Sequence, residues 1–436
     1  MLFKDISIVD KDFEVKHHMY VMTKGAHIVY VGDKDPASLD TVDTAGQEIY
    51  DGDLKLLMPA FYNTHCHVPM TLLRGYGEGL PLQRWLNEKI FPFEAKFLPP
   101  EKYAGAALGS LELLKSGCVS ISDMYFDLPE YGLALYEAGM KANLSNPLTN
   151  FNDADSFFDN NSYRDSLHLL DWMKTMDDGR IKLDAAIHAE YSTREKAVRE
   201  ACEWACDNDL VLHIHISETE SEHNECKARH NGMTPVQYFR SCGAFKSQVL
   251  AAHCVWLSDE DADIMAETGA FMSQNASSNL KLGSGMPNIV NFRKHGMNIT
   301  IGTDGASSNN DLNMLEEVKL TAMIARGLNQ DANAVVPKEV LYMATRGGAL
   351  AQKRPDCGLI DEGMRADLIV IDLDRENMIP AYDILSNVVF ACDSEDIVLT
   401  MCDGTVVMKD RQATLVDEER IRYNARKAFR TVLAKL

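Results

Sequence analysis

The chain has no stretch approaching the ~18 consecutive apolar residues of a membrane-spanning helix. Its first residues, Met1-Leu2-Phe3-Lys4-Asp5, lack the basic segment and apolar core of a secretion signal. Both absences predict a soluble, cytoplasmic protein. Positive charge is scarce as well: 43 Lys and Arg against 65 Asp and Glu leave a formal charge of −22. Binding a phosphate backbone needs concentrated cations, so neither nucleic acid nor a membrane is expected as partner. A small, neutral or cationic substrate fits better. Internal repeats and low-complexity tracts are missing too. Cysteine is plentiful by contrast, but the ten cysteines are scattered through a chain long enough to bury a core unaided. Reduced thiols are therefore expected rather than a disulfide framework.

At 436 residues the chain is too long for one average domain. It suits a (β/α)8 barrel of roughly 250 residues with an accessory part. Eight apolar, β-branched runs stand out, around 56–67, 119–126, 142–149, 181–191, 210–219, 248–257, 269–277 and 298–306. Helical patterns separate most of them. Ser192-Thr193-Arg194-Glu195 reads as a capping box opening the helix that carries Cys202 and Trp204, while Pro129 opens another helix that Gly139 closes. Strands alternating with helices imply a parallel sheet with right-handed crossovers, and eight of them imply a closed barrel. The connection 68–118 is much longer than the rest, and insertions at a barrel mouth commonly shape the substrate site. Short alternating runs at 3–10, 27–33, 366–373 and 397–409, with a hairpin signal at Asp403-Gly404, predict a small β-sandwich domain assembled from both termini. The expected division is an α/β TIM barrel over 58–356, with an accessory β domain over 1–57 and 357–436 closed by a helix near 417–435.

Four places at predicted strand ends carry chemistry: His65-Cys66-His67, His213-Ile214-His215 with Glu218, His253, and Asp304 within Gly302-Thr303-Asp304-Gly305. On a strand, residues two apart face one side, so both imidazoles of an H-x-H pair can address one ion. Taken singly, each has a bland reading: a backbone-bonded histidine, a core histidine, or an aspartate capping a helix. Strand C-termini of a barrel converge on one mouth, and that convergence makes the combination sharper than its parts.

Pro59-Ala60-Phe61-Tyr62-Asn63-Thr64-His65-Cys66-His67, Ala251-Ala252-His253-Cys254 and Gly302-Thr303-Asp304-Gly305 resemble the strand-one, strand-six and strand-eight motifs of the amidohydrolase superfamily. Asn279-Leu280-Lys281-Leu282 and Ser307-Ser308-Asn309-Asn310 resemble its 5′-methylthioadenosine/S-adenosylhomocysteine deaminase branch and the related chlorohydrolases. The resemblance implies His65, His67, His215 and Asp304 as metal ligands; periodicity alone leaves His213 and His215 equivalent. Three imidazoles and a carboxylate suit one Zn2+ per subunit, with Fe2+ or Mn2+ as alternatives. The segment ending in His188-Ala189-Glu190 contains only Lys182 near its start, which argues against the carbamylated lysine of binuclear members. His188-Ala189-Glu190 matches half of the cytidine-deaminase zinc motif, but no Pro-Cys-x-x-Cys follows.

The expected reaction is hydrolytic deamination of an adenosine-type nucleoside. Glu218 would protonate a ring nitrogen, and His253 and Asp304 would orient the attacking water and accept its proton. Trp85 and Glu94, in the long first insertion, match positions that contact the nucleoside, with the glutamate on the ribose hydroxyls; His188 is expected to line the pocket. Where S-adenosylhomocysteine deaminases tend to place an arginine after strand three, this chain has Ser145-Asn146-Pro147, so Asn146 is the expected substrate neighbour and Arg164 a nearby source of charge. Smaller adenosines are then favoured over S-adenosylhomocysteine. The other readings are an aminohydrolase or chlorohydrolase acting on guanine, a pterin or a triazine, and a non-catalytic binding scaffold. A homo-oligomer is expected from the superfamily.

Overall fold

A computed structural model describes residues 1–39, 42–176 and 178–435. Eight parallel stretches coincide with the expected apolar runs: Phe61–Cys66, Cys118–Met124, Lys141–Ser145 with Pro147–Leu148, Ile181–Leu183 with Ala185–Ile187, Val211–Ile216, Gln248–His253, Phe271–Gln274 and Asn298–Ile301. Most are buried along their whole length, because helices cover one face and neighbouring strands' side chains the other. That double burial is why they read as continuous apolar runs rather than alternating ones.

These strands pair as two parallel sheets. One runs Ile181–Leu183, Lys141–Ser145, Cys118–Met124, Phe61–Cys66; the other runs from Asn298–Ile301 through to Ala185–Ile187 and Pro147–Leu148. The two share the chain stretches 141–148 and 181–187. At the opposite edges, the Asp304 N–H donates to the His65 carbonyl at 2.9 Å and the Thr64 hydroxyl to the Ile301 carbonyl at 3.0 Å. Gly302 permits this approach, since a Cβ there would lie 2.6 Å from the His65 nitrogen.

Helices lie between the strands. Leu128–Glu137 carries Pro129 in its first turn, and Gly139 follows it at φ +83°, as the sequence predicts. The expected capping box at Ser192 does not form. Helix Glu195–Asp207 is preceded by Arg194 with no side-chain cap; the Ser192 hydroxyl donates to the Ala189 carbonyl and faces His188 Nδ1 instead.

Both termini build a nine-stranded mixed sheet, in the order Gln412–Ala413, Thr405–Lys409, Ile397–Cys402, Leu368–Asp372, Lys55–Pro59, Leu2–Val9, Val15–Lys24, His27–Gly32, with Ile49–Asp51 also on Leu2–Val9. Its hydrogen bonds make one continuous sheet. The Asp403-Gly404 hairpin forms, and helix Glu418–Leu433 closes the chain. The expected first barrel strand, 56–67, is two strands. Lys55–Pro59 pairs antiparallel with Leu368–Asp372, and after Ala60 the chain enters the parallel sheet at Phe61. Both halves are buried, so no break in polarity marks the switch. No helix among the described residues is long and apolar enough to cross a membrane.

Candidate metal centre and active site

The ends of the first, fifth, sixth and eighth parallel strands bring His65, His67, His215, His253 and Asp304 together. The ligating atoms of His65, His67 and Asp304 lie within 4.8 Å of one another, and so do those of His65, His215 and His253. Asp304 Oδ1 is 3.4 Å from His65 Nε2 and 3.3 Å from His67 Nε2. These separations match the edge of a tetrahedron built on metal–ligand bonds of ~2.0–2.2 Å. Each imidazole has its Nδ1 engaged elsewhere: His65 with His213 Nε2 at 2.9 Å, His67 with the Met124 carbonyl at 2.6 Å, His215 with the His188 carbonyl at 2.6 Å. This is the second-sphere arrangement that fixes metal-binding imidazoles. His65 Nε2 is buried and has no hydrogen-bond partner in the protein. The donor set therefore fits a divalent cation.

The electrostatics agree. Burial pushes His65 down to about 3 and His215 well below its ordinary value, so both present neutral nitrogens. Burial also acts to lower His67, but the Asp304 carboxylate outweighs it and holds that imidazole at about 9. Despite burial, Asp304 stays well below the usual carboxylate range because His65 and His67 face it. The Asp304 carboxylate thus favours positive charge beside it. His253 and Asp304 both adopt left-handed backbone, φ +69° and +61°, the kind of strain that surrounding structure sustains at functional sites.

A pocket with a cavity volume of about 80 Å³ opens above this centre. His67, His215, Glu218, His253 and Asp304 form its floor, and Trp85, Glu94, Tyr125 and His188 its wall. The long insertion supplies Trp85 and Glu94 from two short helical turns, Leu82–Trp85 and Phe91–Glu94. Glu218 is buried, its Oε2 3.9 Å from His253 Nε2 and its Oε1 3.4 Å from the Ser284 hydroxyl, and burial raises its carboxyl above the ordinary range. Glu94 is also enclosed: burial pushes it up to about 7, and its Oε1 has no protein partner. Such an orphaned oxygen facing a pocket is suited to a donor arriving with a ligand. Burial, and next to it His67, lowers His188 to about 4, leaving that ring neutral.

The model of the amidohydrolase family matches residues 56–407. The chain belongs to the amidohydrolase family. It is similar to a 5′-deoxyadenosine deaminase of Methanothermobacter thermautotrophicus, at 37% identity over 88% of this chain and 87% of that one. A 5-methylthioadenosine/S-adenosylhomocysteine deaminase of Acetivibrio thermocellus is 36% identical over 98% of both chains. Among solved structures, a zinc-bound adenosine deaminase from Xanthomonas campestris superposes with a TM-score of 0.91 at 28% identity, covering 99% of this chain and 98% of that one.

Two expected neighbours of the substrate lie elsewhere in this amidohydrolase. Asn146 does not line the pocket; its amide donates to Asp165 Oδ2 at 2.7 Å, and Pro147 and Thr149 take the wall position. Arg164 is exposed and bonds Asn161 Oδ1 on its own helix and the Asp159 carbonyl in the turn before it. Other residues have roles that sequence reasoning did not assign. His253 Nδ1 faces Asn279 Oδ1 at 2.9 Å. Asp304 Oδ2 accepts from the Ser278 and Ser308 hydroxyls at 2.6 and 2.8 Å. Asn279 and Ser308 lie inside the motifs that carried the resemblance, and His213 inside an H-x-H pair, which were the available signals.

Proposed function

We propose that this amidohydrolase is a zinc-dependent deaminase of adenosine-type nucleosides, converting adenosine, 5′-deoxyadenosine or 5′-methylthioadenosine to the inosine analogue and ammonia. The observation that carries the reading is one pocket in which Glu218, His253 and Asp304 face Trp85 and Glu94, whose Oε1 has no protein partner. The similarity to a 5′-deoxyadenosine deaminase and to a 5-methylthioadenosine/S-adenosylhomocysteine deaminase supports it. One metal would be held by His65, His67, His215 and Asp304. When bound, it supplies Lewis acidity and lowers the pKa of water, to about 7 for zinc. The two parallel sheets would close as one eight-stranded barrel, a reading supported by the Asp304–His65 backbone bond and the shared strands. The terminal sheet would fold over its own core of Ile6, Ile8, Leu57, Val370 and Leu399 as the accessory domain.

The chain's residues then divide the work. Trp85 offers an indole face to the nucleoside, and Glu94 accepts hydrogen bonds from the two ribose hydroxyls. Glu218, its carboxyl raised by burial, gives a proton to a ring nitrogen and makes the amino-bearing carbon electrophilic. His253, oriented by Asn279, takes the proton of the attacking water, and Asp304 relays a proton to the departing amine. Burial of the floor excludes bulk water from these transfers.

The test is ammonia release by zinc-loaded protein from adenosine, 5′-deoxyadenosine, 5′-methylthioadenosine, adenine, guanine and a pterin, with and without chelator. Release from the nucleosides, abolished by chelator and restored by zinc, is expected. Release from the free bases alone would overturn the substrate class.

A further inference from the structure

A second, larger chamber adjoins the catalytic pocket. Its cavity volume is about 720 Å³, and it shares Leu86, Phe91, Phe126, Thr149 and Tyr191 with the inner pocket as a common wall. If the adenine ring sits at Glu218 and the ribose hydroxyls at Glu94, whatever hangs on the 5′ carbon has this chamber as its outlet. The chemistry of its lining is therefore a statement about that substituent.

Three aromatic side chains dominate. Phe91 is 41% and Phe151 68% exposed, and Phe126 is partly buried. All three line a concave space rather than scattering over the surface. The sole cation in the lining is Arg229, and it is already committed. Its Nε and Nη2 donate to the two oxygens of the buried Glu190 at 3.0 and 2.5 Å, and its Nη1 to Glu225 at 3.1 Å. Glu222, also in the lining, receives the Ser217 and Glu218 backbone amides at 3.0 and 2.8 Å. Burial pushes the Glu222 carboxyl up to about 8, and Glu225 pairs with Arg229, so the polar side of the chamber offers no free cation. An incoming carboxylate would lose hydration and find no unpaired cation in the lining to replace it. Arg164, exposed on its own helix, supplies no substitute.

Resting on the deaminase reading above, we propose that this chamber is a specificity subsite for an uncharged, apolar 5′-thio substituent larger than methyl, and that it selects against an amino-acid tail. A butyl- or arylthio group would cover the Phe91, Phe126 and Phe151 faces, and apolar contact of this kind gains about three- to fourfold in binding per buried methylene. An aryl group adds edge or offset stacking on these rings.

The experiment compares kcat/KM for 5′-deoxyadenosine, 5′-methylthioadenosine, 5′-butylthioadenosine, 5′-phenylthioadenosine and S-adenosylhomocysteine. Efficiency is expected to rise at least about tenfold from the deoxy to the phenylthio compound and to fall at least about tenfold from butylthio to S-adenosylhomocysteine. Phe151→Asp and, separately, Phe126→Asp are expected to lower the phenylthio-to-deoxy ratio at least about fivefold. A decline along the thioether series, an S-adenosylhomocysteine efficiency equal to that of the butyl compound, or a ratio unmoved by both substitutions would overturn the subsite. No turnover of 5′-deoxyadenosine would instead overturn the deaminase reading itself.

Discussion

His65 Nδ1 and His213 Nε2 stand 2.9 Å apart at the base of the metal centre. With His65 Nε2 given to the metal proposed above, the proton of His65 would reside on Nδ1, and His213 would accept it and carry its own proton on Nδ1. That second nitrogen has no partner in the buried interior. The pair fixes the tautomer and the ring plane of a metal ligand from one layer below it. His213→Leu is expected to weaken metal retention about 10–100-fold, the usual effect of losing such a partner. His213→Asn, which keeps an acceptor, recovers part of it. Zinc content after dialysis against graded chelator measures both; retention unchanged in the leucine variant would remove His213 from this role.

Glu218 is the one acid on the pocket floor that binds no proposed metal ligand at hydrogen-bond distance. Glu218→Gln preserves shape but holds no transferable proton. The expected outcome is full metal occupancy with turnover reduced about 10²–10⁴-fold, the span of a single positioned acid or base. Parallel metal analysis and ammonia assay decide it, and a metal-replete variant with full activity would assign the proton transfer elsewhere.

The parts of this molecule that could be read from sequence are those whose cause is local. The eight apolar runs, the Asp403-Gly404 turn and the H-x-H spacing each follow from a few consecutive residues, and the structure brings the strand-end residues to one mouth. What stayed hidden depends on partners far away in sequence. Asn146 was open to bind substrate until Asp165, nineteen residues on, was seen to take its amide. His213 and His215 share a strand face; the His188 carbonyl on one and the His65 ring on the other separate their roles. Ala60 lies inside an unbroken apolar stretch, and two different sheets bury its two sides equally well.

Glu94 gives the pocket a pH dependence of its own. Burial raises its carboxyl to about 7, while the neighbouring Tyr125 hydroxyl and the His67 and Lys102 charges draw it down. Below that value the group is protonated and offers fewer acceptor sites to two ribose hydroxyls; above it, the carboxylate accepts from both. KM for a nucleoside is therefore expected to fall as pH rises from 6 to 8, with kcat moving less. Glu94→Gln should flatten this profile and lower kcat/KM about 10–100-fold, the equivalent of ~1.5–3 kcal/mol for hydrogen bonds to a charged group. Initial rates over that range in both proteins measure it, and a wild-type KM flat from pH 6 to 8 would contradict the assignment.

The catalytic strands are fastened to the terminal sheet by a buried cation. Lys141, on the third parallel strand and 1% exposed, pairs with Asp403 at 2.6 Å and with Asp367, to which the Tyr62 hydroxyl also donates. Asp367 is fully buried, and its carboxyl is held low by Lys141 against the opposing effect of burial. Lys141→Met fills the same space but strands that carboxylate without a counterion. Removing one partner of a buried pair costs about 3–5 kcal/mol, a large share of the ~5–15 kcal/mol stability of a typical domain. The expected result is a clear drop in Tm and in the urea midpoint. Because the uncompensated charge is the cause, Lys141→Met combined with Asp367→Asn should recover part of the loss. Equal Tm values for wild type and the single variant, or a double variant less stable than the single, would show that the pair does not hold the two sheets together.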